Sequence, residues 1–200
     1  MNSLDLIVHN IIILGSDFTG KRSLKHALGC HGLCLSAPRE TELEVHFSLE
    51  VDGVTHPIVV DYSRDIRKKD GEIAWTLFPF EYGYSGIMII YSIEDLETFK
   101  TVEKRCQSIR EYYGYDVPII VIGNKIDLEE TRCVSTEEGE KLAQKFGADF
   151  IEISIKNFQN VKEAYIILVR KIREYAKNII VQKELKHQQN KEKANIIKFV

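Results

Sequence analysis

Apolar and polar residues follow two periods along the chain, and these periods predict a succession of strands and helices. Short apolar runs bounded by turn residues are typical of buried strands, whereas apolar residues three and four positions apart are typical of amphipathic helices. The last helix is the clearest case, because Tyr165, Leu168 and Ile172 fall on one face. The predicted strands are 9–15, 43–51, 54–61, 86–92, 118–123 and 149–153, and the predicted helices are 20–30, 95–113, 136–146 and 160–180.

The order of these elements predicts an α/β fold. Strands that alternate with helices form mostly parallel sheets with helices on both faces. The pair Asp52-Gly53 favours a hairpin between the second and third strands, which makes the second strand an antiparallel edge. We therefore expect a six-stranded, mostly parallel sheet that binds ligands at the carboxyl ends of its strands. Residues 1–180 are predicted to form this domain, and residues 181–200 a polar tail that is helical or disordered.

Composition and charge limit the class of protein. The 200 residues, 44% of them hydrophobic, suit one domain with a sizeable core. The net charge of −3 gives no reason to expect nucleic-acid binding. We recognise no secretory signal, and no apolar run reaches the roughly 20 residues of a transmembrane segment. The four cysteines form no C-x-x-C pair, so we expect a reduced, cytoplasmic protein, with peripheral attachment to membranes through the basic tail as the alternative.

The loop between the first strand and the first helix carries candidate phosphate-binding residues. Gly15, Gly20 and Lys21 fit G-x-x-x-x-G-K in the strand–loop–helix context that a P-loop requires. Glycines let backbone N–H groups wrap phosphates, the helix N-terminus adds a positive dipole, and the lysine supplies a point charge for the β- and γ-phosphates. The residues predicted to contact phosphate are Gly15, Ser16, Asp17, Phe18, Thr19, Gly20, Lys21, Arg22 and Ser23.

Two further runs, each following an apolar strand, predict recognition of a guanine base. Asp127, in the run Asn124-Lys125-Ile126-Asp127, can accept two hydrogen bonds from guanine N1 and the exocyclic amine, a pair of donors that adenine lacks. The wrong base would leave this carboxylate unpaired, which gives strong discrimination. In Ser154-Ile155-Lys156 we expect backbone N–H groups to meet guanine O6 and the lysine stem to cover one face of the ring.

These motifs resemble those of the Ras-like small GTPases, which carry G-x-x-x-x-G-K-[ST], D-x-x-G, N-K-x-D and S-A-K in this order. The resemblance covers roughly residues 9–176 and is closest in the segments DVPIIVIGNKIDL, KFGADFIEISIKN and AYIILVRKIREY. It implies a P-loop G domain over residues 1–180 with GTP or GDP as its ligand. It also implies effector proteins as partners, together with exchange or activating proteins. The sequence has no C-terminal Cys-a-a-X, so we expect no prenylation.

Four positions depart from the family pattern, and all four affect hydrolysis rather than base recognition. Arg22 stands where the family has the serine or threonine that binds Mg²⁺, and a guanidinium cannot ligate a metal. Asp17 stands where glycine is usual and would crowd and repel the γ-phosphate. Arg64 replaces the glycine of D-x-x-G, and Asp65 replaces the water-orienting glutamine. We therefore expect slow or impaired GTP hydrolysis, because that chemistry depends on the metal, the water and neutralised charge.

The resemblance also implies candidate metal ligands. Asp61 would reach a metal through water, and Thr41 stands near the position of the family's metal-binding threonine. Ser23 follows Arg22, but a helix rotates it by about 100°, so we do not expect it to replace the missing hydroxyl. Mg²⁺ remains a candidate cofactor that lacks its usual P-loop ligand.

The candidate catalytic residues are Arg64 and Asp65, which occupy the changed switch II positions. Arg22 or Arg64 could replace part of the lost metal charge, because guanidinium groups match phosphate oxygens bidentately. The alternative is that both arginines are solvated surface residues.

The segment after these residues is rich in aromatic side chains. A changed D-x-x-G followed by Trp75 is similar, though weakly, to the Rad/Gem group of atypical Ras relatives. The aromatic residues Trp75, Phe78 and Phe80 fit either a helix packed on the core or an exposed patch for a partner.

Two hypotheses for function follow. The first is a guanine-nucleotide-binding signalling or trafficking switch that hydrolyses GTP slowly, and is therefore at most a weak GTPase. The second is a pseudo-GTPase scaffold that uses the same fold as an interaction surface. A P-loop kinase acting on ATP is disfavoured by Asp127.

Overall fold

A computed structural model describes residues 8–30, 44–62, 66–67, 73–74 and 85–197. The strands are β1 His9–Gly15, β2 Val45–Val51, β3 Val54–Tyr62, β4 Ile66–Arg67, β5 Ile73–Ala74, β6 Gly86–Ser92, β7 Ile119–Asn124 and β8 Asp149–Ile153. The helices are α1 Lys21–Cys30, α2 Leu96–Tyr113, α3 Thr136–Lys145 and α4 Val161–Ile197, with a 3-10 helix at Ile126–Thr131.

The main sheet has the predicted architecture. Its strand order is β2-β3-β1-β6-β7-β8, with β2 antiparallel to β3 and every other neighbouring pair parallel. This confirms the six-stranded, mostly parallel sheet with one antiparallel edge strand. The short antiparallel pair β4 and β5 was not predicted, because a strand of two residues is too short to show alternation.

Helices cover both faces of this sheet, as predicted, because successive side chains of a strand point to opposite faces. On β1, Ile11 and Ile13 join the core under α1 and α4, whereas Ile12 joins the core under α2 and α3. Strand β6 has all seven residues buried, which explains its unbroken apolar sequence.

Helix α4 corrects the predicted element bounds most clearly. It continues to Ile197 rather than ending near residue 180. Residues 161–197 contain neither glycine nor proline, the two residues that most strongly break helices. Among the described residues, no helix has the length and apolar character needed to cross a bilayer.

Strand register brings the carboxyl ends of four strands to one edge of the sheet. Gly15 at the end of β1 pairs with Ile90 of β6. Asn124 at the end of β7 pairs with Ser92 on one side and Ile153 on the other. The loops that follow β1, β7 and β8 therefore emerge side by side, at the edge where parallel sheets bind ligands.

Two buried histidines lie at the opposite end of β1. His9 and His56 are at most 2% exposed, and His9 Nε2 lies 3.1 Å from His56 Nδ1. Burial lowers the pKa of His9 to about 4, with smaller contributions from His56 and from Arg173 on α4. The folded protein therefore holds His9 neutral at pH values where an unfolded chain would protonate it.

Folding stability should consequently depend on pH through His9. Because the pKa of His9 is depressed in the folded state, the unfolded chain binds a proton at this residue more readily than the folded chain does. The folding stability that depends on neutral His9 is therefore retained above pH 6.5 and is lost as the pH falls towards 4. We expect this group to lower the free energy of unfolding by about 2 kcal/mol between pH 7 and pH 5. Urea unfolding at several pH values measures this loss.

Two variants test the assignment to His9. His9→Gln should reduce the pH dependence, whereas His46→Gln, which changes an exposed histidine of β2, should retain it. Equal pH dependence in His9→Gln and the unmodified protein would show that other groups cause the effect.

Candidate functional site

The loop between β1 and α1 is closed by the lysine that follows it. Lys21 is 7% exposed, and its Nζ donates hydrogen bonds to the carbonyl oxygens of Gly15 and Ser16, both at 2.6 Å. The hydroxyl of buried Thr19 donates to the same Ser16 carbonyl at 2.9 Å. These bonds hold the loop in a compact turn at the N-terminus of α1, where a helix favours anions.

The two loop glycines are required by close contacts. A Cβ atom on Gly15 would lie 2.5 Å from the carbonyl oxygen of Ile90. Gly20 has a φ of +100°, and a Cβ atom there would lie 2.5 Å from Asn124 Nδ2 and 3.0 Å from Ile155 Cδ1. Glycine is therefore needed at both ends of the loop, because any side chain would force the loop away from its neighbours.

Asn124 connects this loop to the base-recognition segments. Its side-chain amide donates to the carbonyl oxygen of Thr19 at 2.8 Å, and its Oδ1 accepts from the Ile155 N–H at 3.4 Å. The residue is 3% exposed. The sequence placed Asn124 among the base-binding residues, whereas the structure gives its side chain a role in joining all three loops.

Asp127 lies at the start of the 3-10 helix with its carboxylate already oriented. Its Oδ1 accepts a 2.6 Å hydrogen bond from the Ser154 hydroxyl, and its Oδ2 lies 3.7 Å from Lys156 Nζ. The Ser154 hydrogen bond is the main cause of a lowered pKa for Asp127, and Lys156 adds to the shift. The carboxylate is therefore ionised at neutral pH and acts only as a hydrogen-bond acceptor.

The backbone around Ser154 limits which N–H groups could bind guanine O6. The Ser154 N–H donates to the Gln159 carbonyl at 3.2 Å, so this donor is already used. The Ile155 N–H makes only the long 3.4 Å bond to Asn124. The N–H groups of Ile155 and Lys156 are therefore the better candidates for O6.

Lys125 has a partner that the sequence analysis missed. Its backbone is left-handed, with a φ of +72°, and its Nζ donates to the carboxylate of Glu94. The Ser92 hydroxyl donates to the same carboxylate at 3.4 Å. Glu94 follows β6. In the sequence, only this position after a strand, at the ligand-binding edge of the sheet, indicates that Glu94 could belong to the site.

Most of the predicted phosphate-loop and base-recognition residues line one cleft of about 750 Å³. The predicted residues that do not line it are Gly15, Ser16, Thr19 and Ser154. This volume falls within the usual range for small-molecule sites. The cleft is lined by Asp17, Phe18, Gly20, Lys21, Arg22, Ser23, Tyr62, Asn124, Lys125, Asp127, Leu128, Ile155 and Lys156.

The substituted phosphate-loop positions face this cleft. Asp17, Arg22 and Ser23 are exposed, and Phe18 is 93% exposed with a φ of +63°. Ser23 lines the cleft together with Arg22, although the helical rotation predicted a different direction for its hydroxyl. Arg22 makes no hydrogen bond or ion pair within the described part of the chain, so its guanidinium is available to a ligand.

The predicted metal and catalytic residues receive less support. The Asp61 carboxylate accepts a 2.6 Å hydrogen bond from the Tyr62 N–H, and Tyr62 rather than Asp61 lines the cleft. Thr41, Arg64 and Asp65 lie outside the described residues, as does the aromatic segment with Trp75. Within residues 8–29, 44–62 and 85–188, no group of three histidine, cysteine or acidic side chains could hold a metal ion.

The cleft therefore fits a nucleotide better than it fits a bound Mg²⁺. Gly20 and Lys21 of the loop line the cleft, and Asp127 presents an ionised acceptor. Arg22, which lies where the resemblance implies a metal-binding hydroxyl, offers donors only. The α/β sheet, its loop at the end of β1 and this cleft define the P-loop G-domain class of fold.

Comparisons with known proteins agree with this class. The model of the Ras family matches residues 79–174. A Ras-like protein of Laccaria bicolor is 44% identical over 95 residues, which cover 47% of this chain and 46% of the relative. A GTP-binding protein Rheb homolog of Drosophila melanogaster is 35% identical over 108 residues, covering 52% and 59%. The Ras-related protein Rab-8B of Homo sapiens is 40% identical over 90 residues, covering 45% and 44%.

Over residues 79–174 the chain is similar to the Ras family of small GTPases. It spans about half the length of the curated relatives that it matches. The family match begins at residue 79, so it contains both base-recognition segments but not the phosphate loop. The assignment of this loop as a phosphate-binding loop therefore rests on its place in the fold and on its contact with Asn124.

Proposed function

We propose that this protein binds guanine nucleotides, GDP and GTP, and acts as a signalling or trafficking switch with slow GTP hydrolysis. One observation carries the proposal: the ionised Asp127 and the loop closed by Lys21 line the same cleft. A nucleotide is a ligand that carries both a base for the first group and phosphates for the second.

Base recognition rests on the geometry around Asp127. Ser154 and Lys156 hold the carboxylate, and guanine would supply its N1 and amine donors to the remaining acceptor positions. The Lys156 side chain is 75% exposed, so its stem can lie over a ring bound in the cleft. Lys125 would border the same base while its Nζ remains paired with Glu94.

Phosphate binding rests on the loop and on two cationic side chains. Lys21 would approach the β- and γ-phosphates, and the exposed guanidinium of Arg22 would reach phosphate oxygens from the first turn of α1. We propose that Arg22 supplies positive charge at the position where relatives use a metal-binding hydroxyl. Nucleotide binding would then depend little on Mg²⁺.

Removal of Mg²⁺ tests this role of Arg22. EDTA should change the rate of GDP release by less than about threefold, because no P-loop hydroxyl ties the metal to the nucleotide. Arg22→Ser should raise that sensitivity to about tenfold or more, since serine restores an oxygen ligand. Release of fluorescent GDP with and without EDTA measures both effects.

The neighbouring variant Ser23→Ala serves as the matched control. It should leave the response to EDTA unchanged if Ser23 does not bind the metal. If EDTA accelerates release strongly in the unmodified protein and Ser23→Ala abolishes the acceleration, Ser23 is the metal ligand and the proposed role of Arg22 is wrong.

Slow hydrolysis is proposed from the substitutions around the expected γ-phosphate. Asp17 adds an exposed carboxylate to the cleft, and like charge opposes the approach of a phosphate. Arg64 and Asp65 replace the glycine and glutamine that resemblance to the family implies at these positions.

A pseudo-GTPase scaffold is the second candidate function, and the exposed Asp17 and Phe18 in the cleft favour it. A carboxylate opposes phosphate, and a 93% exposed phenylalanine is a surface that a partner protein could cover. Exchange of labelled GDP and GTP separates the two candidates, because a switch exchanges nucleotide and binds partners differently in its two states. A scaffold would bind its partner equally with GDP, with GTP or without nucleotide.

Effector proteins, with exchange or activating proteins, are the proposed partners of such a switch. A location in the cytoplasm or at the surface of a membrane follows from the same proposal.

A further inference from the structure

Lys125, which lines the same cleft as Asp127, is held by an acidic residue from another part of the fold. Its Nζ donates to the carboxylate of Glu94, which also accepts a 3.4 Å hydrogen bond from the Ser92 hydroxyl. Among the residues that the structure describes, Glu94 is the only acceptor for this Nζ. Glu94 is itself not one of the described residues that line the cleft, so it acts on the site through Lys125.

The backbone of Lys125 is fixed as well as its side chain. Its φ of +72° is left-handed, a conformation that costs a lysine free energy. Its carbonyl oxygen accepts a 2.8 Å hydrogen bond from the Leu128 N–H, which closes the first turn of the 3-10 helix. The four-carbon stem of Lys125 therefore runs between two fixed points, although a lysine side chain otherwise adopts many rotamers.

A rigid turn between β6 and α2 presents Glu94. The Ile93 N–H donates to the Asn124 carbonyl at 3.0 Å, which joins this turn to the end of β7. The Asp95 N–H donates to the Ser92 carbonyl at 3.1 Å, and the Asp95 side chain caps α2. A carboxylate on such a support orients its partner more precisely than a carboxylate on a loose loop would.

Stability of the fold is a weak explanation for this ion pair. The side chains of Lys125 and Glu94 are 28% and 29% exposed, and ion pairs open to water stabilise proteins little. A second pair between elements joins Lys145 of α3 to Glu103 of α2 at 2.6 Å, and the described lining of the cleft includes neither residue. The Lys125 pair differs from it because one partner borders the place proposed for the base.

We infer that Glu94 is a positioning residue for the base, because it holds the Lys125 stem as one wall of the base-binding part of the cleft. This inference rests on the proposed nucleotide-binding function. The methylene groups of a lysine can cover an apolar surface while the ammonium group stays paired or hydrated. A stem that Glu94 already fixes loses little conformational entropy when a purine lies against it, and this raises the affinity.

The test removes each partner of the pair and then both. Glu94→Gln and Lys125→Met each remove one charge and keep a side chain of similar length. Displacement of fluorescent GDP measures the affinity of the full chain for GDP and for GMP, with urea unfolding in parallel. Each single variant should weaken both ligands by about fivefold, because either change frees the side chain at position 125. The double variant should also lose about fivefold rather than about 25-fold, because both changes break the same contact.

Glu103→Gln is the matched control, because it breaks the pair with Lys145 outside the cleft. It should leave both affinities unchanged. GDP and GMP share the base and differ in the number of phosphates. Equal fold losses for the two ligands in Glu94→Gln are therefore expected if Glu94 acts on the base.

Three results would overturn the inference: an unchanged affinity in Glu94→Gln, losses that multiply in the double variant, or an equal loss in Glu103→Gln. A larger loss for GDP than for GMP would place the effect at the phosphates and would also overturn it. If Glu94→Gln does not fold, Lys125→Met decides, and an unchanged affinity there contradicts the role of Glu94. An unmodified protein that binds neither ligand overturns the proposed function, and the role of Glu94 with it.

Discussion

Asp127→Ala is expected to weaken GDP binding by about 10²–10³-fold, which corresponds to about 3–4 kcal/mol. The variant removes a charged acceptor of two hydrogen bonds from guanine. It also removes the partner of the Ser154 hydroxyl, a residue that is fully buried. Calorimetric titration with GDP measures the loss.

Asp116→Ala is the control for this prediction, because Asp116 lies between α2 and β7 and lines a different cleft of about 690 Å³. Its affinity for GDP should equal that of the unmodified protein. A loss of less than threefold in Asp127→Ala would contradict the assignment of Asp127 to the base.

Single-turnover hydrolysis of GTP is expected to be slower than in an ordinary Ras protein by about 10²-fold. Correct placement of water and charge carries most of this chemistry, and a single arginine finger is worth about 10³–10⁵. Asp17 adds negative charge in the cleft, and Asp65 replaces the residue that orients water in relatives. The assay uses saturating Mg²⁺ and a typical Ras protein measured alongside.

The double variant Asp17→Gly with Asp65→Gln identifies the obstacle. Its rate should rise by about tenfold or more if these two carboxylates are responsible. A rate in the unmodified protein equal to that of ordinary Ras would refute the impairment. If the protein is slow and the double variant gives no rescue, the missing hydroxyl at Arg22 is the dominant defect.

The sequence predicted the architecture well because the fold is encoded locally. The apolar run of β6 and the turn at Asp52-Gly53 each specify a nearby structure, and both are present. The bounds of β1, β6 and β8 agree with those predicted. The continuation of α4 could have been predicted from the absence of helix breakers, but its polar composition favoured neither helix nor disorder decisively.

The site could be predicted as a set of motifs but not as a network of contacts. Gly15, Lys21 and Asp127 carry recognisable spacing, and the structure brings their loops to one cleft. The bonds from Asn124 to Thr19 and from Arg105 to Gly15 join residues 105 and 90 positions apart. No period or motif in a single sequence contains such information, because these contacts exist only after the strands have come together.

Binding of GDP compared with ADP by the unmodified protein tests the central claim most directly. Calorimetric titration with both nucleotides should show GDP bound more tightly by at least about 10²-fold, because ADP leaves the Asp127 carboxylate without its two donors. Equal affinity for the two nucleotides, or binding of neither, would contradict a guanine-nucleotide site formed by Asp127, Asn124 and Lys21.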